Sequence, residues 1–376
     1  MRKTRSGLHK KSKLKRLKKL GMETGRKTIH PILIIILFVL TALFIPVILV
    51  VRQEPMPLPA EEASLQPEIP QSTKQTLPPS SGESSEQAVS VYLTATGEVE
   101  TLPLEDYLVG VVAAEMPAEF ELEALKAQAI AARTFIVRRL QLGDRSGVPE
   151  EEADVTDAVS HQAYHSRTIL EKDWSLPEYK DKLNRIKQAV LETRGIIMTY
   201  NGQPINASFF STSNGYTENS EEVWSNQVAY LRSVPSPWDV KLAPEYKQTV
   251  SYSREEFLSM LGIVSRKPNK TSTAAQPSIQ VKSLSTGHRI KEVVIEGKSF
   301  SGREVREKLN LRSSQFSWKW NGDRIEITTY GYGHGVGMSQ WGANGMALEG
   351  HKAKEILRHY YTGISFDQAS RMLSKK

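Results

Sequence analysis

"VVAAEMPAEFELEALKAQAIAARTF", residues 111–135, sets a small apolar run, a glutamate, a proline and a long alanine-rich stretch in direct succession. A helix over 102–117 must stop at Pro117, whose ring lacks an N–H and clashes with the preceding turn. A second helix then covers 119–140, with Leu122, Leu125, Ala129, Ala132 and Ile136 on one face. Its first turn holds acids and its last turn arginines, as the helix dipole favours. Upstream, "AVSVYLT" alternates as a strand does. Downstream, 180–195 is helical and ends at Gly195, and 196–219 reads as a hairpin about Asn201-Gly202 running into a polar loop. Residues 290–295 and 323–331 are strands, 301–311 is a short capped helix, and helices occupy about 338–361. With no internal repeat, the body belongs to the α+β class, a mixed helix/sheet fold expected to carry a substrate groove.

The 376 residues are 39% hydrophobic and 24% charged, an ordinary composition for one or two domains. The net charge of +7 is misleading: residues 1–30 hold twelve Lys or Arg and one acid, so the rest of the chain is net negative. That balance gives the body no basic character of the kind nucleic acid requires. "PILIIILFVLTALFIPVILVV", residues 31–51, has no charge in 21 positions, and a helix of that length spans roughly 30 Å, the hydrocarbon thickness of a bilayer. A cleaved signal peptide would have a shorter apolar core and a small-residue cleavage site. The expectation is a single-pass N-terminal membrane anchor with residues 1–30 cytoplasmic and 52–376 outside. Leu14, Leu17 and Leu20 among lysines suit a short basic helix on anionic lipid, and equally an unstructured tail that fixes topology.

Residues 52–88, with seven prolines among Ser, Glu and Gln, cannot bury a core and read as a disordered spacer. The folded body is expected over 89–366, with a surface insertion at about 241–290 whose 265–280 stretch is rich in Lys, Thr, Ser and Gln, and a C-terminal tail over 367–376. There is no cysteine, which excludes thiol nucleophiles, Cys-based zinc sites and iron–sulfur ligation.

Four clusters carry candidate chemistry. Glu115 ends a small apolar run two residues before the helix-stopping proline; burial and the negative helix end both disfavour its charge, which suits a general acid near neutral pH. The plainer reading is a half-exposed helix-end glutamate. In "SFFSTSNGYTENSEEVW", 208–224, Ser211, Ser213, Asn214 and Thr217 offer groups that hydrogen-bond sugars or peptides, although Asn214-Gly215 is also simply a good turn dipeptide. "GYGHGVGMSQWGA", 331–343, lacks the glycine spacing of a dinucleotide loop; its glycines suit close approach to something, His334 is reachable, Gln340 is polar, and Trp341 offers either a stacking face or core packing. His161 and His165 in "HQAYH" have helical metal spacing but no accompanying Glu, so no metal is assigned.

The basic tail, the anchor, "VVAAEMPAEFELEALKAQAIAARTF", "FFSTSNGYTENSEEVW" and "GYGHGVGMSQWGANGMA" together resemble the sporulation protein D and amidase-enhancer family over about 89–365. The resemblance implies a peptidoglycan lytic transglycosylase that cuts between N-acetylmuramic acid and N-acetylglucosamine without water, leaving 1,6-anhydro ends, during engulfment in endospore formation. It implies Glu115 as the catalytic residue, with Lys126 and Arg133 beside it, no cofactor, glycan strands as substrate, and stage II sporulation proteins M and P as partners in a mother-cell membrane complex facing the forespore. Some relatives bind zinc through cysteines and histidines near the "HQAYH" region; this chain has no cysteine there. The rival classes are a non-catalytic glycan-binding scaffold or amidase activator, a hydrolytic glycosidase, and a zinc amidase. A glycosidase normally needs two carboxylates, and the residue pattern argues for one, Glu115.

Overall fold

Pro117 divides two helices as expected in a computed structural model that describes residues 87–374 apart from 175 and 265–275. The basic tail 1–30, the apolar run 31–51 and nearly all of the 52–88 spacer lie outside the described residues, as do residues 265–275 of the 265–280 stretch. Among the described residues no helix is long and apolar enough to cross a membrane. The chain enters through β1 (Ala88–Leu93) and β2 (Glu98–Pro103), an antiparallel pair, and turns into α1 (Leu104–Glu115).

Next comes α2 (Leu122–Leu142), the centre of the larger core. The sequence suggested one apolar face; the helix is instead buried all round over 127–134, and Ala124, Ala127, Ala129, Ala131 and Ala132 are all inaccessible. Small side chains let neighbouring helices pack close around it, which is why the stretch is rich in alanine. It packs against α1 and α4 (Pro177–Glu192); between α2 and α4 in the chain come the two-residue β3 (Val155–Thr156), which pairs parallel to β1, and α3 (Arg167–Asp173).

The expected hairpin is present: β4 (Ile196–Tyr200) turns through Asn201 and Gly202, at φ 51° and 74°, into β5 (Gln203–Pro204). The second strand is only two residues long, followed by one further backbone bond from Ile205 N–H to the Met198 carbonyl at 3.2 Å. β6 (Phe209–Phe210) follows, then the short helices α5 (Ser220–Val223) and α6 (Trp238–Leu242).

Residues 247–330 build a second hydrophobic cluster. β7 (Lys247–Ser253) and α7 (Arg254–Met260) lead to the meander β8 (Ile279–Leu284), β9 (Ile290–Ile295) and β10 (Lys298–Ser301). α8 (Gly302–Lys308), β11 (Phe316–Asn321) and β12 (Arg324–Tyr330) complete it. Both α7 and α8 open with a full capping box, Ser253 with Glu256 and Ser301 with Glu304. β7 pairs with β12 along seven residues, and Phe257, Leu258 and Leu261 are buried against Val293, Val305 and Ile325. The 241–290 stretch is therefore not a surface insertion as expected: its strand pairs with β12 and its helix brings Phe257, Leu258 and Leu261 into the second core.

From β12 the chain runs through the glycine-rich segment into β13 (Met338–Ser339), which lies parallel to β6, and then into α9 (Gln340–Leu348), α10 (Ala353–Tyr360), β14 (Ser365–Gln368) and α11 (Ala369–Leu373). β14 pairs with β4, so most of the expected C-terminal tail is folded, with Ala369 and Met372 buried.

Candidate active site

α1 terminates at Glu115, and three features of the fold meet there. Gly110, one turn and a half earlier, has no Cβ; one would strike the Tyr164 ring and the His165 carbonyl, so the loop 157–166 lies directly on the helix. That contact aims the Ala163 N–H at Glu115, donating to Oε1 at 2.7 Å. The Gln340 side chain at the start of α9 donates at 2.9 Å to the Glu115 main-chain carbonyl, one of the acceptors a helix end leaves open. Burial of the carboxyl raises its pKa, against the opposing pull of Ala163 N–H and the Gln340 amide. Among the described residues no cation forms an ion pair with it.

Glu115 opens into a cleft of about 710 Å³ lined by Gln162, Ala163, Phe209, Ser211, Trp224, Tyr332, His334 and Gln340. Glu115 is the sole carboxylate among its lining residues. Tyr332 is 47% exposed at the cleft wall, and Trp224 stands 5.4 Å from the His334 ring. His334 Nδ1 accepts from Val336 N–H at 3.1 Å. Burial, reinforced by Arg306 and Arg289, lowers its pKa to about 4, so the ring is neutral at pH 7.

With that geometry in hand, residues 92–200 match the family model described as "Stage II sporulation protein". The chain is 44% identical over 347 residues to stage II sporulation protein D of Bacillus amyloliquefaciens, covering 90% of this chain and 98% of that protein. It is 46% identical over 319 residues to the Bacillus subtilis protein of the same name, covering 84% and 90%. The chain belongs to the stage II sporulation protein D family. It is also 28% identical over 304 residues to the amidase enhancer of Bacillus subtilis, spanning 69% of this chain and 40% of that protein. The stretch matched by the family model carries Glu115 and the loop that donates to it; Ser211, Trp224, Tyr332, His334 and Gln340 come from beyond it.

In this member of the sporulation protein D family, the expected site residues separate into two groups. Glu115, Ser211, His334 and Gln340 meet at the cleft. The others are structural. Arg133 is fully buried and forked onto Glu105 at 2.6 and 3.0 Å, with further bonds to the Val190 and Ile196 carbonyls. Lys126 is held by Glu123 and Glu192 at 2.9 and 2.5 Å. Ser213 bonds the Ser236 carbonyl, Asn214 the Gly287 carbonyl and Thr217 the Arg232 carbonyl, so these three tie the polar loop to its neighbours instead of offering groups to a ligand. Trp341 packs edge-on against Phe120 at 4.7 Å, and the aromatic faces of the cleft belong to Trp224 and Tyr332.

The two histidines are not on a helix. His161 Nδ1 faces Thr156 and its Nε2 faces the Ser146 carbonyl, while His165 stands apart near Trp174. Among the described residues no group of three His, Asp or Glu side chains could hold a metal ion. The glycine-rich loop lies close against the protein's own backbone. Gly331, Gly333, Gly335 and Gly337 all have φ between 76° and 115°. A Cβ on Gly337 would strike the Ser208 carbonyl, and one on Gly335 the Arg289 guanidinium. The close approach is to the protein's own 208–213 segment, through the Thr212–Tyr332 bridge and the β6–β13 pair.

Sequence reasoning missed Asp239, which is inaccessible beneath this loop. It accepts from Ser213 N–H at 2.7 Å and Ser236 Oγ at 2.6 Å, and from Ser339 Oγ. Within "SPWDVKL" only Ser236 is a partner; Ser213 and Ser339, which complete the cluster, are remote in the chain.

Proposed function

We propose that the protein is a membrane-anchored lytic transglycosylase that cleaves glycan strands of peptidoglycan between N-acetylmuramic acid and N-acetylglucosamine during engulfment. The observation that supports it is the single desolvated carboxyl at the cleft, with no second carboxylate lining the same space. A hydrolase normally needs two such groups; an intramolecular ring closure needs one. Protonated Glu115 gives its proton to the glycosidic oxygen as the C1–O bond breaks, and the muramic acid ring takes on oxocarbenium character. The C6 hydroxyl of the same sugar attacks C1, and the Glu115 carboxylate removes the hydroxyl proton, restoring the starting acid. Trp224 and Tyr332 supply apolar faces for sugar rings, and Ser211 and Gln340 supply polar groups.

The uncharged 31–51 run behind a twelve-cation tail supports anchorage with the folded body outside the cytoplasm. Stage II sporulation proteins M and P are the proposed partners, on the family resemblance. A second reading, a glycan-binding activator of an amidase, is favoured by the relationship to the amidase enhancer. Digestion of stem-stripped peptidoglycan by the full chain in detergent, read by mass spectrometry, separates them. The proposal expects ends one water lighter than hydrolysed ends, and none from Glu115→Gln; an activator yields no cleaved glycan from either protein.

A further inference from the structure

A smaller cavity of about 160 Å³ adjoins the cleft, and Trp224 and His334 line both. Seven charged side chains border it. Six are paired: Arg289 with Glu218 at 3.2 Å, Lys291 with Glu222 at 3.0 Å, and Arg303 with Glu307 at 2.7 Å. The seventh, Arg306, has no carboxylate partner among the described residues; its Nε donates to the Leu311 carbonyl at 3.3 Å. Arg306 is half-buried, and the fully buried Arg289 behind it keeps Nε and Nη2 without partners. Four cations facing three carboxylates leave the pocket one positive charge in excess, and a guanidinium matches a carboxylate fork to fork.

We infer that this pocket is an anion subsite of the cleft, in which Arg306 receives a carboxylate carried by the strand that lies across Glu115. The inference rests on the glycan reading of the cleft and adds what that reading lacks, a group able to tell an acidic sugar strand from a neutral one. Two sources carry that chemistry: the lactyl carboxylate of muramic acid itself, free when no peptide is attached, and the carboxylates of an attached peptide.

The test measures binding to the full chain in detergent on a Glu115→Gln background, so that nothing turns over. The probes are N-acetylglucosamine oligomers, stem-free glycan, stem-bearing glycan, and stem-free glycan whose lactyl carboxyl has been reduced to the alcohol. Arg306→Gln is expected to weaken binding of stem-free glycan about tenfold or more, to leave neutral oligomers unchanged, and to be rescued in large part by Arg306→Lys. Carboxyl reduction should weaken binding equally without any change to the protein, which keeps the inference testable if Arg306→Gln does not fold. A loss confined to stem-bearing glycan upholds the subsite and assigns it to the peptide's carboxylate. Equal binding of reduced and unreduced strands, together with no loss on stem-bearing glycan, overturns the inference while anhydro products from the Glu115 enzyme would leave the cleft reading intact. Absence of binding to every glycan overturns both.

Discussion

Gln340 and Glu115 lie 225 residues apart and are joined by a 2.9 Å hydrogen bond from the Gln340 amide to the Glu115 main-chain carbonyl. This bond docks the start of α9 onto the end of α1 and fixes the floor of the cleft. Gln340→Ala is expected to cost about 1 kcal/mol of stability, one ordinary hydrogen bond. Activity should fall further, about tenfold or more, because small displacements of a reacting group are costly. Urea unfolding and glycan-cleavage rates, compared on one preparation, check the split.

Burial raises the Glu115 pKa, and the proposed first step needs the proton. Cleavage should therefore decline as pH rises through that raised value, which lies above 4.5. The stability sign follows from the same shift. A carboxyl that holds its proton more tightly folded than unfolded makes the fold less stable as pH rises between its unfolded and folded values, and the deficit persists above them. Glu115→Gln should thus melt a few degrees higher than the parent at pH 7, with the advantage gone near pH 3. A variant that melts lower at pH 7 would contradict the desolvated site.

Gly337 and Gly202 share a left-handed φ, 80° and 74°, but only Gly337 faces backbone where a Cβ would go. Gly202→Ala should cost roughly 1 kcal/mol, the conformational penalty alone. Gly337→Ala should cost roughly 3 kcal/mol or more, adding a collision with Ser208 that neither chain segment can relieve. Thermal unfolding of the two variants side by side gives the difference.

Trp224 and Trp341 test the reassigned aromatic face. Trp341→Ala removes a side chain packed on Phe120 and the larger core, and should cost about 3 kcal/mol of stability. Trp224→Ala opens the cleft wall, and should weaken glycan binding about tenfold with a smaller change in melting. Calorimetric binding and melting curves on both proteins decide it; a binding loss of the same size for each would return Trp341 to the site.

Arg133 was expected beside the substrate and instead closes the core. Its guanidinium is inaccessible and forked onto Glu105. Arg133→Gln should cost about 3 kcal/mol, since an uncompensated carboxylate and two buried carbonyls remain behind. Cleavage per folded molecule should be unchanged, measured at a temperature where the variant is folded.

What the sequence determined by itself is local. Pro117 stops a helix, Asn201-Gly202 turns a hairpin, Ser301 and Glu304 cap a helix, and a carboxyl after a small apolar run lies where burial and helix polarity act on it; each follows from forces within a few residues. The tertiary structure alone decided which polar groups face the cleft. Ser211 and Ser213 are two positions apart and equally polar, yet one lines the cleft and the other is sealed against Ser236 and Asp239. Likewise the alanine-rich helix reads as one-faced until α9, α10 and α4 cover its other sides. A hydrogen bond or a covered face depends on a partner far away in the chain, and a residue's own neighbours carry no record of where that partner will fold.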